Sequence, residues 1–492
     1  MTSQQEIPVL YTEIFINNKF QKSTKKRTFE TLNPATGKLI AKIEYGSEED
    51  VDLAVRAAEK AFEFDSPWRT IDASERGRLL YKLADVIEKE KEYIAKLEAL
   101  DTGKPYSMAL LADIPGVVDN LRYYAGWADK ITGQVIPLNG SFHTYTRHEP
   151  IGVCGLIIPW NFPLLLLAMK LGASLAAGNT VVIKPAEQSP LTSLYLGHLV
   201  QEVGFPPGVI NIVPGDRITG AAVVDHPRVQ KISFTGSSQV GLKIHKAVAQ
   251  ENNLKRVTLE MGGKSAVIVL GDVNVDEAVQ KAQDAVFTNQ GQVCCAFSRT
   301  FVHSSIYDEF VKKSAERAKT IKIGDPFDQE TQHGAQIDET QMNRILNYIS
   351  LGVKEGARLV AGGNRVGKTG YFVEPTVFAD VQDNHTIAKE EIFGPVQQIL
   401  KFDDIDEAIK RANQSEYGLA AGVFSNDVDK INYIVPRLKA GSVWVNCYLA
   451  SGLQSPFGGY KNSGIGREGG YYGLLPYLEV KTVSMPVLKK VS

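Results

Sequence analysis

Between residues 152 and 260, short apolar segments alternate regularly with segments of helical spacing. The apolar segments show no alternation of polar and apolar residues, which is typical of strands buried on both faces. Strands of that kind belong to parallel sheets with helices packed on both sides. We therefore predict an α/β domain with strands at 152–158, 180–183, 208–212, 229–234 and 255–259, and with helices at 164–177, 191–203, 219–224 and 239–251.

The same alternation restarts after Gly262 and Gly263 and predicts a second α/β domain. Its first strands are expected at 265–270 and 300–303, and its first helices at 276–289 and 306–319. Before the first domain, Ser47 to Asp50 resembles a capping box. The remaining expected segments are strands within 8–45, helices at 51–64, 75–100 and 108–133, and β-rich stretches at 376–381, 441–446 and 480–488.

Length and composition narrow the class of protein. A chain of 492 residues is too long for one core and predicts two or three domains. A net charge of −2 gives no reason to expect a nucleic acid or a membrane surface as a partner. Four scattered cysteines suit a reducing compartment, and we expect the cytoplasm because no secretory or transit signal is predicted at the N-terminus.

One apolar segment, 151–169, is uncharged and about long enough to cross a membrane. Pro159 and Pro163 interrupt it, and proline breaks a helix because it lacks the backbone N–H. A buried strand, a turn and a buried helix are therefore expected there.

Polar residues follow the predicted strands of the first domain, at the ends where parallel sheets bind ligands. Asn161 follows the first strand as an amide donor, and Lys184 and Glu187 follow the second. Lys184 could hold a ribose hydroxyl or a phosphate, while Glu187 could accept both hydroxyls of an adenosine ribose. The carboxylate would repel a 2′-phosphate, which favours NAD over NADP. The alternative is a local ion pair at the surface.

Gly236, Ser237 and Gly241 follow the fourth strand and open a helix, whose N-terminus is suited to a phosphate. Their spacing is not the usual dinucleotide fingerprint, so simple close packing of the glycines stays open. Glu260 and Gly262 follow the fifth strand.

Cys294 and Cys295 stand side by side in a chain that has few thiols. Adjacent cysteines are poorly placed to form a disulfide with each other. They also lack the spacing and histidine partners of a zinc site, so no metal is expected. A nucleophile or a small buried apolar pair remains, and these residues alone leave both open.

Six motifs resemble those of a known family. Residues 257–265 (VTLEMGGKS) and 287–296 (FTNQGQVCCA) resemble the paired signatures of the aldehyde dehydrogenase superfamily. Further motifs match in family order at 159–163, 234–237, 390–395 and 455–459. The resemblance covers essentially the whole chain and is greatest to the tetrameric NAD-dependent branch, which includes mitochondrial acetaldehyde and cytosolic retinal dehydrogenases.

The resemblance implies a Rossmann-like NAD-binding domain, an α/β catalytic domain and a small β oligomerisation domain. The NAD-binding domain would comprise 1–131 and 151–262, and the catalytic domain 263–462. Residues 132–150 and 463–492 would supply the oligomerisation strands and the C-terminal segment of a homotetramer.

By the same resemblance, Cys294 is the nucleophile that forms a thiohemiacetal and then a thioester with the aldehyde. The Asn161 side chain and the Cys294 backbone N–H would stabilise the oxyanion. Glu260 would activate the hydrolytic water; its alternative role is to cap the amides after the fifth strand. Lys170 would support Glu260 or a proton relay, or else be a surface lysine. Asn446 would orient the nucleophile region.

The family's cofactor contacts include a nicotinamide-ribose contact at Glu391 and a ring contact at Phe393. The full set carried over to this chain is Ile157, Ile158, Pro159, Trp160, Lys184, Glu187, Gly236, Ser237, Gly241, Leu259, Gly262, Gln341, Glu391 and Phe393.

The family's substrate-tunnel positions are mainly apolar and uncharged in this chain, which favours an aliphatic, aromatic or retinal-like aldehyde. They are Trp160, Phe162, Leu166, Thr288, Val293, Cys295, Leu449, Ser451 and Phe457. Ser451 stands where bulkier residues are common, which predicts a wider mouth. Two alternatives are a structural protein built on this scaffold and a cysteine hydrolase that uses the same thioester chemistry.

Overall fold

The computed structural model describes residues 7–249, 254–450 and 452–487 and contains two large sheets. The first has eight strands. In order across the sheet they are Lys19–Gln21, Ile14–Ile16, Ile210–Ile212, Thr180–Lys184, Val153–Ile157, Lys231–Thr235, Arg256–Glu260 and Gly464–Ile465.

The five central strands of this sheet are parallel, as predicted from their unbroken apolar character. Alternate residues face opposite sides, so that Val181 and Ile183 join one apolar core and Val182 joins another. Both faces are therefore covered by helices. The helices over these two faces are Glu48–Phe62, Ala73–Lys89, Lys91–Thr102, Ile114–Ala125, Pro163–Ala176, Leu191–Val203, Arg217–Asp225 and Ser238–Ala247.

The second sheet has seven strands. In order they are Arg358–Ala361, Thr376–Ala379, Val396–Phe402, Arg299–His303, Ala266–Val269, Ala420–Phe424 and Ser442–Val445. All neighbours are parallel except the first pair. The longer helices of this half of the chain are Val275–Phe287, Tyr307–Ala318, Glu339–Lys354, Ile405–Asn413 and Val428–Ile434. The prediction of a second α/β unit is confirmed.

Three small sheets complete the fold. One is a three-stranded antiparallel sheet, whose strands in order are Leu478–Pro486, Phe142–Pro150 and Val135–Ile136. Two-stranded sheets join Thr28–Leu32 to Leu39–Glu44 and Arg365–Val366 to Phe372–Val373. The domain boundaries given above stay predictions.

Short helical segments lie between the longer elements. The α-helical ones are Pro67–Thr70, Tyr106–Met108, Thr386–Lys389 and Gly470–Leu474, and the 3₁₀ ones are Thr288–Gly291, Ser304–Ile306, Val435–Arg437, Lys461–Ser463 and Leu475–Tyr477. Within the described ranges, no helix is long and apolar enough to cross a membrane.

The local sequence signals give mixed results in the N-terminal region. The capping box is present: the Ser47 side chain accepts from the backbone N–H of Asp50, and the Asp50 carboxylate accepts from the Ser47 N–H. The single helix predicted at 75–100 is wrong, because the chain bends at Glu90 (φ −103°, ψ 14°). There the Glu90 carboxylate accepts a hydrogen bond from the Tyr195 hydroxyl of another helix.

The helix predicted at 108–133 is also shorter than expected. It begins with a π-helical turn, Ala109–Asp113, and continues as Ile114–Ala125. Pro115, which has no backbone N–H, lies just after the π-helical turn, where the hydrogen-bond pattern changes to that of the α-helix. After Ala125 the backbone N–H groups donate to carbonyls in turns, and the α-helical hydrogen-bond pattern ends.

Two glycines with the same left-handed φ of +85° test how the first sheet packs on its helices. Gly204 ends helix Leu191–Val203 with open space around it, whereas a Cβ at Gly208 would collide with the Ala57 carbonyl oxygen. Gly204→Ala should cost about 1 kcal/mol through its backbone conformation alone. Gly208→Ala should cost clearly more, because it adds a steric collision to the same conformational cost.

Thermal unfolding midpoints at one fixed protein concentration measure both effects. Gly204→Ala is the matched control. Equal losses in the two variants would contradict the close packing of Gly208 on helix Glu48–Phe62.

Candidate active site

The predicted cofactor residues of the first domain gather at one edge of the first sheet. The chain leaves strand Val153–Ile157 toward one side of the sheet and returns to Lys231–Thr235 on the other side. The carboxyl ends of these two neighbouring strands therefore form a switch point, where α/β sheets bind ligands. The residues placed there are Ile157, Ile158, Pro159, Trp160, Gly236 and Ser237.

Lys184 and Glu187 form the local ion pair that was the alternative interpretation. The Lys184 Nζ lies 3.1 Å from Glu187 Oε2. The lysine is buried, whereas the Glu187 side chain is 42% exposed. Both side chains stand at the carboxyl end of strand Thr180–Lys184, next to the switch point, so the pair leaves a carboxylate facing outward at the expected ribose position.

Gly236 and Gly241, which follow the fourth predicted strand, are packed closely. A Cβ at Gly241 would collide with the Met261 sulfur, and one at Gly236 would lie 2.6 Å from the Phe234 ring. Ser237 caps helix Ser238–Ala247 by accepting from the Val240 N–H. Close packing is therefore present here. Helix Ser238–Ala247 follows strand Lys231–Thr235, which pairs with the strand that carries Leu259.

The loop that carries Cys294 has an unusual backbone. After helix Val275–Phe287, three consecutive residues adopt left-handed φ values: Asn289 (50°), Gln290 (58°) and Gly291 (72°). Left-handed non-glycine residues are costly and occur often at functional sites. The turn reverses the chain, so that Cys294 follows it at the amino end of strand Arg299–His303.

The two adjacent thiols have different surroundings. Cys294 is half-buried, while Cys295 is buried with its Sγ 3.7 Å from the Tyr448 hydroxyl. The hydrogen bond with Cys295 and burial raise the pKa of Cys294 well above the usual value of a thiol. Cys294 is thus the more accessible sulfur, and Cys295 is a packed neighbour.

Asn161 is tied directly to this loop. Its buried side-chain amide donates from Nδ2 to the Gln292 carbonyl at 2.9 Å, and Asn289 Nδ2 donates to the Asn161 carbonyl at 3.0 Å. An amide nitrogen carries two N–H groups. The second N–H of Asn161 is therefore available next to the backbone of the Cys294 loop.

Gly262 and Gly263 lie next to both Glu391 and the loop that carries Cys294. The Gly263 N–H donates to Glu391 Oε1 at 3.0 Å. A Cβ at Gly262 would collide with the Glu391 carboxylate, and one at Gly263 would collide with the Cys294 carbonyl oxygen. The Gly263 amide is capped by Glu391, so the alternative role of Glu260 as its cap is wrong. Burial raises the pKa of Glu391 to about 7.

Gln341 and Trp160 hold the loop that follows Glu391. Gln341 Nε2 donates to the carbonyls of Ile392 at 3.1 Å and Phe393 at 2.8 Å. The Phe393 backbone is left-handed (φ 58°), and its ring meets the Trp160 ring edge-on at 5.2 Å. Gln341 thus supports the predicted cofactor loop from behind through backbone contacts.

Glu260 is buried at the end of its strand. Neither of its carboxylate oxygens has a hydrogen-bond partner among the described residues. Burial and the nearby negative charge of Glu468 raise the pKa of Glu260 well above its usual value, and the positive charge of Lys170 opposes the rise. A carboxyl group of this kind stays protonated to higher pH than an exposed one and can act as a base once it ionises.

Lys170 is fully buried and ion-paired with Glu468, so its alternative interpretation as a surface lysine is wrong. Glu468 also accepts from the Ser233 hydroxyl at 3.3 Å. Sequence reasoning missed Glu468. It is brought to Glu260 because Gly464 pairs with Glu260 at the edge of the sheet, and no local pattern around Glu468 predicts that pairing.

The predicted substrate residues divide into two groups. Phe162, Val293, Cys295 and Phe457 pack together with Cys294 in one apolar cluster. Leu166 packs against the core of the first sheet, and Thr288 donates its hydroxyl to the Asp284 carbonyl at 2.6 Å. Leu449 is exposed and left-handed (φ 51°). Ser451 lies outside the described residues.

The Asn446 side chain bonds to the backbone of Ser425. Its Oδ1 accepts from the Ser425 N–H at 3.0 Å and its Nδ2 donates to the Ser425 carbonyl at 2.8 Å. These two bonds join the ends of neighbouring strands in the second sheet. Neither goes to the loop that carries Cys294.

Comparisons with known proteins agree with this geometry. Residues 20–483 match the model of the aldehyde dehydrogenase family. The chain is 58% identical over 487 residues to the mitochondrial aldehyde dehydrogenase of Rattus norvegicus, covering 99% of this chain and 94% of that protein. It is 56% identical to aldehyde dehydrogenase 1A1 of Homo sapiens, covering 99% and 97%. The structure of an NAD⁺ complex of the aldehyde dehydrogenase from Bacillus cereus superposes with a TM-score of 0.96 at 48% identity, covering 99% of each chain.

The difference in accessibility between the cysteines predicts the order in which iodoacetamide labels them. Cys294 and Cys447, both half-buried, should be labelled before Cys154 and Cys295, which are buried. Because the thiolate is the reactive form and the pKa of Cys294 is raised, its labelling should still be accelerating above pH 8. Digestion and mass spectrometry resolve the four sites.

Protein unfolded in urea is the control, in which all four sites should react at similar rates. Faster labelling of Cys295 than of Cys294 in the folded protein would contradict the assignment of Cys294 as the accessible sulfur.

Proposed function

The chain belongs to the aldehyde dehydrogenase family, and on that premise we propose that it oxidises an aldehyde to the carboxylic acid with NAD, through a thioester on Cys294. The observation that carries the proposal is the position of Gly262 and Gly263. Their missing side chains let the Glu391 carboxylate and the Cys294 backbone approach the same two residues from different directions. The expected cofactor contact and the expected nucleophile therefore share one support.

NAD fits the residues at the sheet edge. A Cβ at Gly262 would fill the space that the Glu391 carboxylate occupies, and the Lys184–Glu187 pair presents a cation and an outward carboxylate at a strand end. The solved relative from Bacillus cereus is described as an NAD⁺ complex. When bound, NAD supplies the acceptor for the hydride that leaves the substrate carbon. Glu187 disfavours the 2′-phosphate of NADP by charge.

The first step is addition of the Cys294 sulfur to the aldehyde carbon. The thiol releases its proton to solvent, a sulfur–carbon bond forms as the carbonyl π bond opens, and the carbonyl oxygen becomes an oxyanion. The free N–H of the Asn161 amide and the Cys294 backbone N–H are the donors proposed for that oxygen. A single donor of this kind contributes ~3 kcal/mol to the stability of the transition state. Loss of the hydride then leaves a thioester on Cys294.

Hydrolysis of the thioester needs a base that is ionised when water attacks. Glu260 is the proposed base, because its buried carboxylate has no competing partner among the described residues. The proton taken from water can pass through Glu260 toward the Glu468 carboxylate, which is paired with the Lys170 ammonium near Glu260. The acid leaves, and the departing Cys294 sulfur takes up one proton, which restores the thiol.

The apolar cluster around Cys294 supports an aliphatic, aromatic or retinal-like aldehyde as substrate. Phe162, Val293 and Phe457 contribute apolar surface and no charge. A substrate that carries its own carboxylate would lack a cationic partner among these side chains.

We further propose a cytoplasmic homotetramer. Four cysteines without disulfides suit a reducing compartment. Strand Leu478–Pro486 pairs with Phe142–Pro150 along nine residues and leaves its other edge unpaired in the described chain. An edge of this kind can pair with another subunit.

An absorbance assay for NADH, with a panel of aldehydes and with NAD or NADP, tests the reaction. The intact protein should form NADH with NAD, and more slowly with NADP. Cys294→Ser should lower kcat by about a thousandfold or more, because an alcohol is a far weaker nucleophile than a thiolate. Cys295→Ser is the matched control one residue away and should stay active.

An active Cys294→Ser variant beside an inactive Cys295→Ser variant would reverse the assignment of the nucleophile. Ester hydrolysis without NADH formation would favour the cysteine hydrolase. Absence of both activities would favour the structural alternative.

The buried Glu260 predicts a pH dependence. The base form of Glu260 is needed, and its pKa is raised by burial and by Glu468, so thioester hydrolysis should increase with pH as Glu260 ionises. Glu468→Gln removes a negative charge and leaves the positive charge of Lys170 unopposed. The pKa of Glu260 should therefore fall, and the acid limb of the kcat profile should move to lower pH.

The rate of the hydrolytic step across the pH range measures the limb. Glu277→Gln, at an exposed position in the first turn of helix Val275–Phe287, is the control and should leave the limb in place. A limb that moves to higher pH in Glu468→Gln would show that Glu468 does not act on Glu260 through its charge.

A further inference from the structure

Lys104 is a fully buried cation that the proposed reaction does not use. Helix Lys91–Thr102 ends at Gly103, whose left-handed backbone (φ 75°) turns the chain inward, and Lys104 follows directly. Burying a charge is costly unless it is paired. The groups that contact the Lys104 ammonium therefore indicate the role of this residue.

Two carboxylates hold the Lys104 ammonium. Its Nζ lies 2.5 Å from Asp113 Oδ2 and 3.6 Å from Glu98 Oε1, and both acids are buried. Asp113 is the last residue of the π-helical turn Ala109–Asp113. π-Helical turns are rare and are frequent at functional sites. The wider turn sets the direction from which Asp113 meets Lys104.

The third neighbour of the ammonium is an aromatic ring. Lys104 Nζ lies 4.4 Å from the centroid of the Phe162 ring. A cation over an aromatic face is attracted by the ring quadrupole, and the attraction is stronger when water is excluded. Phe162 itself is half-buried and also packs in the apolar cluster that contains Cys294 and Cys295. The ring thus contacts both a buried cation and the apolar cluster that contains Cys294.

Phe162 occupies a critical place in the chain. It directly follows Asn161, whose amide donates to the Cys294 loop, and it precedes helix Pro163–Ala176 as its N-terminal cap residue. Its own side chain is large and apolar, and the backbone bonds of its neighbours do not fix the ring. A contact on the face of the ring can do so.

We infer that Lys104 is a positioning residue, which fixes the Phe162 ring as a wall of the aldehyde site through a buried cation–π contact anchored by Asp113 and Glu98. The inference rests on the proposed function, since it assigns Phe162 to the substrate side of Cys294. It predicts that Lys104 matters for the aldehyde and not for NAD. It also predicts that the effect of Lys104 depends on the presence of the Phe162 ring.

A double-mutant cycle with Lys104→Met and Phe162→Leu tests this dependence. Lys104→Met should lower kcat/KM for benzaldehyde by about tenfold while the KM for NAD stays unchanged. In the Phe162→Leu background, the same change should cost less than about twofold, because no ring remains to be positioned. Acetaldehyde is smaller and should contact less of the wall that Phe162 forms, so its kcat/KM should fall less than that of benzaldehyde in both backgrounds.

Two further variants guard against a loss of folding. Lys104→Met leaves two buried acids without their cation, so Lys104→Met/Asp113→Asn removes one of these charges as well. Asp113→Asn alone keeps the cation and weakens its anchor. Circular dichroism and thermal midpoints establish that each variant is folded before its kinetics are compared. Both variants should show the same selective loss for benzaldehyde.

Equal losses from Lys104→Met with and without the Phe162 ring would overturn the inference, because Lys104 would then act through the fold in general. A rise in the KM for NAD that matches the loss for the aldehyde would do the same. Failure of the proposed function looks different: the unmodified protein would then form no NADH with any aldehyde.

Discussion

The close approach permitted by Gly262 and Gly263 is the constraint on which the rest of the site depends. These two residues connect the last parallel strand of the first sheet to the first strand of the second. The Gly263 N–H donates to the Glu391 carboxylate, and Gly263 also lies against the Cys294 carbonyl oxygen. A side chain at Gly262 would collide with Glu391, and one at Gly263 would collide with the loop that carries Cys294. The same two residues therefore connect the two sheets and hold Glu391 close to the loop that carries Cys294.

Helix Pro163–Ala176 is the second constrained element, because buried charged groups hold it at two positions along its length. At its start, the Phe162 ring lies over the Lys104 ammonium. Two turns further, Lys170 is paired with Glu468 beneath the proposed base. Buried ion pairs contribute little net stability, but removal of one partner is costly. Their effect here is to fix the rotation and depth of a helix whose first turn begins next to Asn161, the proposed oxyanion donor.

The nucleophile loop shows how a strained backbone is kept in place. Left-handed Asn289 and Gln290 are unfavourable by themselves. The Gln292 side chain offsets this by donating to the Asn289 carbonyl and by accepting from the Ile337 N–H, while Asn161 donates to the Gln292 carbonyl. The turn is thus held from three parts of the chain. The accessible position of Cys294, beside a buried Cys295, follows from that turn.

The sequence by itself determined most helices and strands and the way they are layered, since apolar periodicity is a local property. Helix Leu191–Val203 has the predicted bounds, and strand Thr180–Lys184 is buried along its whole length, as predicted. The predictions for Cys294, Asn161 and Glu260 came from motifs that are continuous in the chain. The tertiary structure alone decided the bend at Glu90 and the pairing of Lys170 with Glu468. It also placed the Asn446 amide against the backbone of Ser425. Each of these depends on a partner far away in the chain, and a buried charge or amide takes its role from whichever group the fold places against it.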